Sequence, residues 1–138
     1  MTDTSAKEIA MAWLAEMQSC VRDCDFAGAR GIFSLEVVGF GSHASLLVGL
    51  DALERDQWQH VWPVIEDFTF LIRDLVCGLS SDLVWIACPW TSSGQERNGT
   101  LRPRPGRMTA VLQRVDGRWL AIHTHHSLAP ASASTSSR

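Results

Sequence analysis

The stretch that decides the fold is Gly106-Arg-Met-Thr-Ala-Val-Leu-Gln-Arg-Val-Asp-Gly-Arg-Trp-Leu-Ala-Ile-His-Thr-His-His-Ser127. Asp116-Gly117 is the strongest turn signal in the chain, because a two-residue hairpin turn needs positive φ angles that Asp and Gly tolerate. Two long strands are expected to flank this turn. The stretch therefore predicts a hairpin that carries most of the candidate chemistry.

Alternate residues of a strand share a face, so the hairpin sorts its side chains into two sets. On the first strand, one face carries Arg107, Thr109, Val111 and Gln113. On the second strand, one face carries Trp119, Ala121, His123 and His125, and the other carries Leu120, Ile122, Thr124 and His126. If the faces of Arg107 and His123 coincide, a guanidinium and two imidazoles point into one space. Periodicity does not distinguish the inner face from the outer one.

The pattern GR-x-T-x-V-L-x-R-x-DGRW-x-x-x-H-x-H-x-S follows a Trp-Thr strand and an N-terminal helical pair. It resembles the SnoaL-like branch of the nuclear-transport-factor-2-like (ketosteroid isomerase-like) superfamily. Within that branch it is most similar to the proteins that resemble the association domain of calcium/calmodulin-dependent kinase. The resemblance covers roughly residues 5 to 130. It implies an α+β, cystatin-like fold, in which a cone-shaped, curved, mostly antiparallel sheet carries three helices on its concave side. Such folds host isomerases, dehydratases, epoxide hydrolases, polyketide cyclases and non-catalytic association domains, so fold alone does not fix the chemistry.

Length and composition predict one domain over residues 1–130. The chain has 138 residues, 46% of them hydrophobic and 20% charged, which is enough to bury a core. A net charge of −3 argues against nucleic acid or an anionic membrane as partner. Charged residues near the start and the absence of a long apolar run predict a cytoplasmic protein. The Ala/Ser-rich residues 131–138 are expected to form a disordered tail.

Two cap signals place the first helices. Ser5 and Glu8 form a capping box, which predicts a helix from there to about Cys24. Asp25 is expected to cap a short second helix from Phe26 to about Gly31. The four cysteines form no CxxC pair and are expected to be reduced and mostly buried.

The remaining elements follow from apolar runs and from turn residues. Phe33–Phe40 is predicted to be a strand, and Asp51 is predicted to cap a third helix that ends at Pro63. Two further strands are expected over residues 67–77 and 83–92. Residues 93–106, rich in Gly, Pro and polar side chains, are expected to form a long hairpin loop at the rim.

Both faces of the strands predicted at 67–77 and 83–92 are apolar, whereas a sheet with one solvated face alternates more cleanly. Three helices can cover only one of these faces. A second subunit covers the other most simply, as in the dimers this superfamily usually forms. The pattern and the resemblance together predict a homodimer.

The candidate catalytic residues are His123, His125 and Asp74. Histidine exchanges protons near neutral pH, and a carboxylate that pairs with it raises its basicity. Asp74 interrupts an apolar strand face and is one candidate carboxylate; Asp25 is the other, although helix capping explains it as well. Arg107 is a candidate oxyanion or carboxylate holder, with an ion pair to Glu66, Asp67 or Asp74 as the structural alternative. The tyrosine that a steroid isomerase of this fold uses is absent from the sequence.

His123 and His125 could bind a metal together, with His43 as a conceivable third ligand. Because no third ligand lies near the pair in sequence, we expect neither a metal nor a cofactor. The predicted pocket binds a small, partly apolar ligand, and its wall consists of Phe40, His43, Trp58, Trp62, Trp90, Arg107, His123 and His125. Two functions remain open. One is acid–base chemistry of the isomerase, dehydratase or cyclase kind, and the other is a non-catalytic binding or association module.

Overall fold

A computed structural model describes residues 5–130, and the tail predicted at residues 131–138 lies outside the described part. Helix α1 spans Ala6–Asp23 and begins at the predicted capping box, in which Ser5 and Glu8 satisfy each other's backbone amides. Helix α2 spans Phe26–Arg30, and the Asp25 carboxylate accepts a hydrogen bond from the Gly28 amide at 2.9 Å. Both cap predictions are confirmed. The buried stripe of α1 packs into the core through Ile9, Ala10, Trp13, Leu14, Met17, Cys20 and Val21.

The third helical segment covers residues 50–64 and changes type along its length. It consists of an α-helical turn at Leu50–Leu53, a π-helical turn at Glu54–Trp58, an α-helical turn at Gln59–Val61 and a 3₁₀ turn at Trp62–Val64. The predicted Asp51 cap is wrong, because the segment begins after Gly49, which has a φ of 94°. Asp51 lies within the first turn and forms an ion pair with Arg30 at 2.8 Å.

Seven strands form one sheet in the order β2-β1-β7-β6-β5-β3, with β4 also paired to β5. Only the β1–β7 pair is parallel among the pairs of the described sheet. The strands span β1 Phe33–Phe40, β2 Leu46–Val48, β3 Ile65–Phe70, β4 Val76–Ser80, β5 Leu83–Gln95, β6 Leu101–Val115 and β7 Arg118–Leu128. The predicted fold class, a curved and mostly antiparallel sheet with three helices, is confirmed.

Two strand predictions need correction. The run predicted at 67–77 is interrupted, because Ile72–Asp74 forms a 3₁₀ turn that separates β3 from β4 along one edge of β5. The loop predicted at 93–106 is mostly strand, because β5 and β6 stay paired through Ser93 and Pro103 as far as Gln95 and Leu101. The β6 prolines do not prevent the pairing, which leaves only residues 96–100 as the connection.

The Asp116-Gly117 turn is confirmed, with positive φ angles of 52° and 80°. The alternation predicted on β7 is only partly correct, since an irregularity in the β6–β7 pairing lies between Leu112↔Ala121 and Val111↔His123. Ile122 is the extra residue, and it shifts the side-chain parity as a β-bulge does. Ala121, Thr124 and His126 therefore share the inner face, while His123 and His125 lie on the outer face.

Candidate functional site

A cavity lies between the helices and the concave face of the sheet; we call it the inner cavity. Its enclosed volume is about 30 Å³, enough for a small polar group. Its walls come from α1, the third helical segment, strands β1, β3, β5, β6 and β7, and the residues that follow β1. The lining residues are Met17, Val21, Phe40, Gly41, Ser42, Leu53, Gln57, Trp58, Val61, Trp62, Ile65, Phe68, Trp90, Arg104, Thr124 and His126. Most of this wall is apolar, so its few polar groups define what it can bind.

Trp90 supplies an unused donor to the inner cavity. The residue is 2% exposed, and its ring lies directly over Gly106, where an added Cβ would come within 2.1 Å of the ring. Its Nε1 atom is buried and has no hydrogen-bond partner among the described residues. An indole N–H can only donate. The inner cavity therefore presents a donor that requires an acceptor.

His126 lies beside Trp90 on the inner face, and their ring centroids are 6.1 Å apart. Its Nε2 atom is also buried without a partner in the described part of the chain. Burial, and to a lesser extent the nearby His125, lowers the pKa of His126 to about 4. The imidazole is therefore neutral at neutral pH, and its Nε2 atom serves as donor or acceptor according to the tautomer.

Arg104 brings the positive charge to the inner cavity. Its Nη1 atom donates to Ser92 Oγ at 2.9 Å, and its Nη2 atom donates to Ser42 Oγ at 3.4 Å. Burial lowers the pKa of the guanidinium, as does the neighbouring Arg102, yet an arginine keeps its proton in proteins. No Asp or Glu is among the lining residues of the cavity. The charge of Arg104 thus favours an anionic or strongly polarised ligand oxygen.

Gln57 is a buried polar residue in the lining of the inner cavity. It lies in the π-helical turn, a local irregularity that often occurs at functional sites. Its Oε1 atom accepts from the amides of His43 and Ala44 at 3.0 and 2.9 Å, and its Nε2 atom donates to Ser42 Oγ at 3.2 Å. The Ser42 hydroxyl therefore joins the third helical segment to Arg104.

Aromatic rings make up much of the remaining wall. Trp58 and Trp62 stack with centroids 4.7 Å apart, and Trp62 also stacks on Phe26 at 5.2 Å. Phe68 lies 5.2 Å from the Trp90 ring. Such walls suit flat apolar groups.

The structure divides the pocket wall predicted from sequence between two faces. Trp58, Trp62 and Trp90 line the inner cavity. Phe40 borders it, but its ring lies 5.2 Å from the ring of His125 on the outer face. His43 stacks on His60, with centroids 4.8 Å apart, and is not among the lining residues.

The other predicted residues meet on the outer face of the sheet. Asp74, Arg107 and His125 line one groove of about 330 Å³, which we call the outer groove. The 3₁₀ turn that carries Asp74 and the strand that carries His125 are separated by β5 and β6, and no hydrogen bond joins the two side chains within residues 5–130. His123 lies nearby and its Nδ1 atom is 2.9 Å from the Val38 carbonyl oxygen.

The polar lining residues that sequence analysis did not select are Ser42, Gln57, Arg104, Thr124 and His126. Arg104 lies in the Pro-rich stretch that the sequence predicts to be a loop, where strand alternation does not apply. His126 shares its alternating set with Thr124, but periodicity does not show that this set faces inward. Nothing in the sequence marked the π-helical turn that places Gln57.

Within the described residues, no group of three His, Cys, Asp or Glu side chains is arranged to hold a metal ion. No helix in the same part of the chain is both long and apolar enough to cross a membrane. Arg107 forms no ion pair in residues 5–130; its Nε atom donates to Ser127 Oγ at 3.0 Å instead.

Comparison with known proteins agrees with the fold. The profile of the SnoaL-like domain matches residues 10–132. The chain belongs to the SnoaL-like domain family. No curated protein matches the sequence.

Solved structures share the fold of this SnoaL-like domain at low sequence identity. A nuclear transport factor 2-like superfamily protein from Salmonella enterica is 14% identical, with a TM-score of 0.78 over 96% of this chain and 97% of that one. A candidate calcium/calmodulin-dependent protein kinase II association domain from Xanthomonas campestris is 18% identical, with a TM-score of 0.74 over 94% and 91%. A ketosteroid isomerase-like protein from Erwinia carotovora atroseptica is 17% identical, with a TM-score of 0.75 over 88% and 95%. These likenesses establish the fold alone.

Proposed function

We propose that this SnoaL-like domain binds a small, largely apolar ligand in the inner cavity through a carbonyl or carboxylate oxygen of that ligand. The observation that carries the proposal is the buried, unpartnered Nε1–H of Trp90 in the same cavity as the Arg104 guanidinium. A buried polar group without a partner costs free energy, so it favours a ligand that supplies one. Both groups are hydrogen-bond donors, so both require an acceptor atom on the ligand.

The apolar wall determines the rest of the ligand. The stacked Trp58–Trp62 pair and Phe68 favour a flat or aromatic body. The enclosed volume of about 30 Å³ fits a head group rather than a whole ligand. The body of the ligand then extends towards the rim at Gly41 and Ser42, which are partly exposed.

Acid–base chemistry of the isomerase, dehydratase or cyclase kind is the finer proposal for this cavity. Arg104 and Trp90 would polarise a ligand carbonyl, and His126 would exchange the proton. A base with a pKa of about 4 is weaker than the value near the working pH that general catalysis favours, and no carboxylate lines the cavity to raise it. The geometry thus supports binding better than catalysis, and the catalytic roles predicted for His123, His125 and Asp74 stay predictions.

Association with a second copy is the other candidate function, and the exposed apolar residues of the outer sheet face support it. Val48 is 68% exposed, Val76 is 57% exposed and Trp85 is 48% exposed. Leu46 and Leu83 lie on the same face by strand register and are also exposed. Exposed apolar area of this kind marks interaction sites. We therefore propose a homodimer that pairs through this face.

Matched titrations with benzoate and benzamide test the binding proposal. The two probes share a ring and a carbonyl but differ in charge, so Arg104 distinguishes them. Benzoate is expected to bind more tightly than benzamide, and Arg104→Met is expected to weaken benzoate binding roughly tenfold or more, since a charge-assisted hydrogen bond is lost. Arg102→Met is the control, because that exposed arginine lies on the same strand as Arg104 and pairs with Glu96 in the connection between β5 and β6. Equal benzoate affinity in the wild type and in Arg104→Met would contradict the proposal.

A further inference from the structure

Two opposite charges line the outer groove, and neither has an ion-pair partner among residues 5–130. Asp74 supplies the carboxylate and Arg107 supplies the guanidinium, and both residues are exposed. The face that carries them is the one proposed above to pair with a second copy. A charge that enters an apolar interface without a partner costs free energy. The pairing therefore needs a counter-charge for each of these two groups.

The sheet keeps the two charges apart within one chain. Arg107 on β6 is paired with Ser127 of β7 on one side and with Pro89 of β5 on the other. Its Nε atom donates to Ser127 Oγ at 3.0 Å, so the guanidinium is directed towards β7. Asp74 lies beyond β5, in the 3₁₀ turn that the Leu71 amide attaches to the Pro89 carbonyl oxygen at 2.9 Å. The two groups are therefore separated by two strand spacings, or roughly 10 Å, on opposite sides of β5.

We infer that the two charges are complementary across the homodimer, where Arg107 of each copy pairs with the partner's Asp74. The inference rests on the homodimer proposed above and specifies the register in which the two faces meet. In a twofold pairing, every contact between two different residues occurs twice, with the roles of the copies exchanged. One acid and one base on the same face therefore satisfy each other in two reciprocal ion pairs.

Strand β5 determines where the symmetry axis of this pairing lies. Two outer faces meet when one copy is rotated by half a turn about an axis in the plane between them. This rotation brings Arg107 onto the partner's Asp74 when the axis runs midway between the two residues, which is along β5. The outer face of β5 then lies against its own counterpart, with the exposed Trp85 and with the small side chains of Ala87 and Pro89. These small side chains let the two faces approach closely between the ion pairs.

The outer groove provides space for the charged side chains of the second copy. Its volume is about 330 Å³, and apolar residues such as Val76 and Ala87 lie between its charged groups. In the inferred register, the partner's Asp74 enters the groove beside Arg107, and the partner's Arg107 enters beside Asp74. The Nη groups of Arg107 have no hydrogen-bond partner in the described structure. They offer the paired donors that match the two oxygens of a carboxylate.

Charge reversal tests this register, with sedimentation velocity and native mass spectrometry as the measurements. Arg107→Asp brings two acids together at each contact, and Asp74→Arg brings two bases together. Each variant alone is expected to be monomeric, with self-association roughly a hundredfold weaker or more, because like charges meet twice in every dimer. An equimolar mixture of the two variants is expected to form a mixed dimer, since each of its contacts again joins an acid to a base. The double variant Arg107→Asp/Asp74→Arg is expected to form a dimer on its own.

Arg114→Asp is the matched control, because it makes the same change of charge on β6. Arg114 lies over the Trp119 ring, 5.6 Å from the ring centroid, pairs with Asp82 and does not line the outer groove. This control is expected to form a dimer as the wild type does. Circular dichroism checks that every variant is folded, as expected for substitutions at exposed positions.

Two results would overturn the register and leave the homodimer standing. One is wild-type self-association in either single variant, and the other is a mixture of the two folded variants that stays monomeric. A wild type that is monomeric at every concentration would contradict the homodimer itself, and the register with it. Neither Asp74 nor Arg107 lines the inner cavity, so the test is independent of ligand binding there.

Discussion

The guanidinium carbon of Arg104 lies 5.6 Å from the centre of the Trp90 ring. The two side chains come from neighbouring strands, β6 and β5, and both face the inner cavity. A cation over an indole face is attracted by the ring, so each side chain holds the other in position. A ligand oxygen that reaches one of the two donors is therefore close to the other.

Gly106 keeps the Trp90 ring in place, so Gly106→Ala is expected to impair the inner cavity. The added Cβ would lie 2.1 Å from a carbon of the ring, and the ring must move. We expect a loss of about 1–3 kcal/mol in the free energy of unfolding, as for other overpacked cores, together with weaker benzoate binding. Denaturant unfolding and calorimetry measure the two effects.

The double variant Gly106→Ala/Trp90→Phe supplies the control for that prediction. A smaller ring relieves the clash but removes the Nε1–H donor. Stability is expected to recover in part, while benzoate affinity stays low. Full benzoate affinity in Gly106→Ala would show that the position of Trp90 is not needed for binding.

His126 is expected to make stability fall on acidification between about pH 6.5 and pH 4. Its folded-state pKa of about 4 lies below the unfolded value of 6.5, so in that window the unfolded chain binds more protons than the folded one. The shift corresponds to roughly 3 kcal/mol, present above pH 6.5 and lost as the pH approaches 4. Urea unfolding at several pH values measures this slope.

His126→Phe removes the titrating group. The loss of stability that His126 causes between pH 6.5 and pH 4 is therefore expected to disappear, which makes the dependence of the unfolding free energy on pH less steep. His125→Gln is the matched control, because His125 is exposed and is the neighbouring residue on β7. A slope in His126→Phe as steep as in the wild type would mean that other groups account for the acid sensitivity.

Trp85→Glu is expected to weaken self-association without unfolding the chain. Trp85 is 48% exposed on the outer face, so a charge there remains solvated in the monomer but opposes the pairing of two apolar faces. Sedimentation velocity over a range of concentrations is expected to show a dimer for the wild type and a monomer for the variant. Met11→Glu is the control, since Met11 is 40% exposed on α1. A monomeric wild type at every concentration would contradict the homodimer.

The sequence was most informative where short-range chemistry fixes the backbone. The Ser5 capping box, the Asp25 cap and the Asp116-Gly117 turn each depend on neighbouring residues, and all three are confirmed. The Asp51 prediction was wrong because the helix starts after Gly49, which is two residues before Asp51, and Asp51 instead pairs with Arg30. A local sequence pattern carries no information about that long-range ion pair.

The site was harder to predict because one extra residue decides which side chains enter the cavity. The bulge at Ile122 puts Ala121 on the same face as Thr124 and His126, so uniform alternation along β7 fails. The β5–β6 pairing that carries Arg104 inward runs through Pro103 and Pro105, which on their own predict a loop. Only the tertiary pairing of the strands reveals this assignment.

A crystal structure with 4-bromobenzoate tests the inner cavity most directly, because the anomalous signal of bromine locates the ligand without prior assumptions. We predict a carboxylate within hydrogen-bonding distance of Arg104 and Trp90 Nε1, with the bromine directed towards the rim at Ser42. The same soak of Arg104→Met is predicted to give no bromine peak in the cavity. A wild-type structure whose bromine peaks all lie outside the inner cavity would contradict the proposed function.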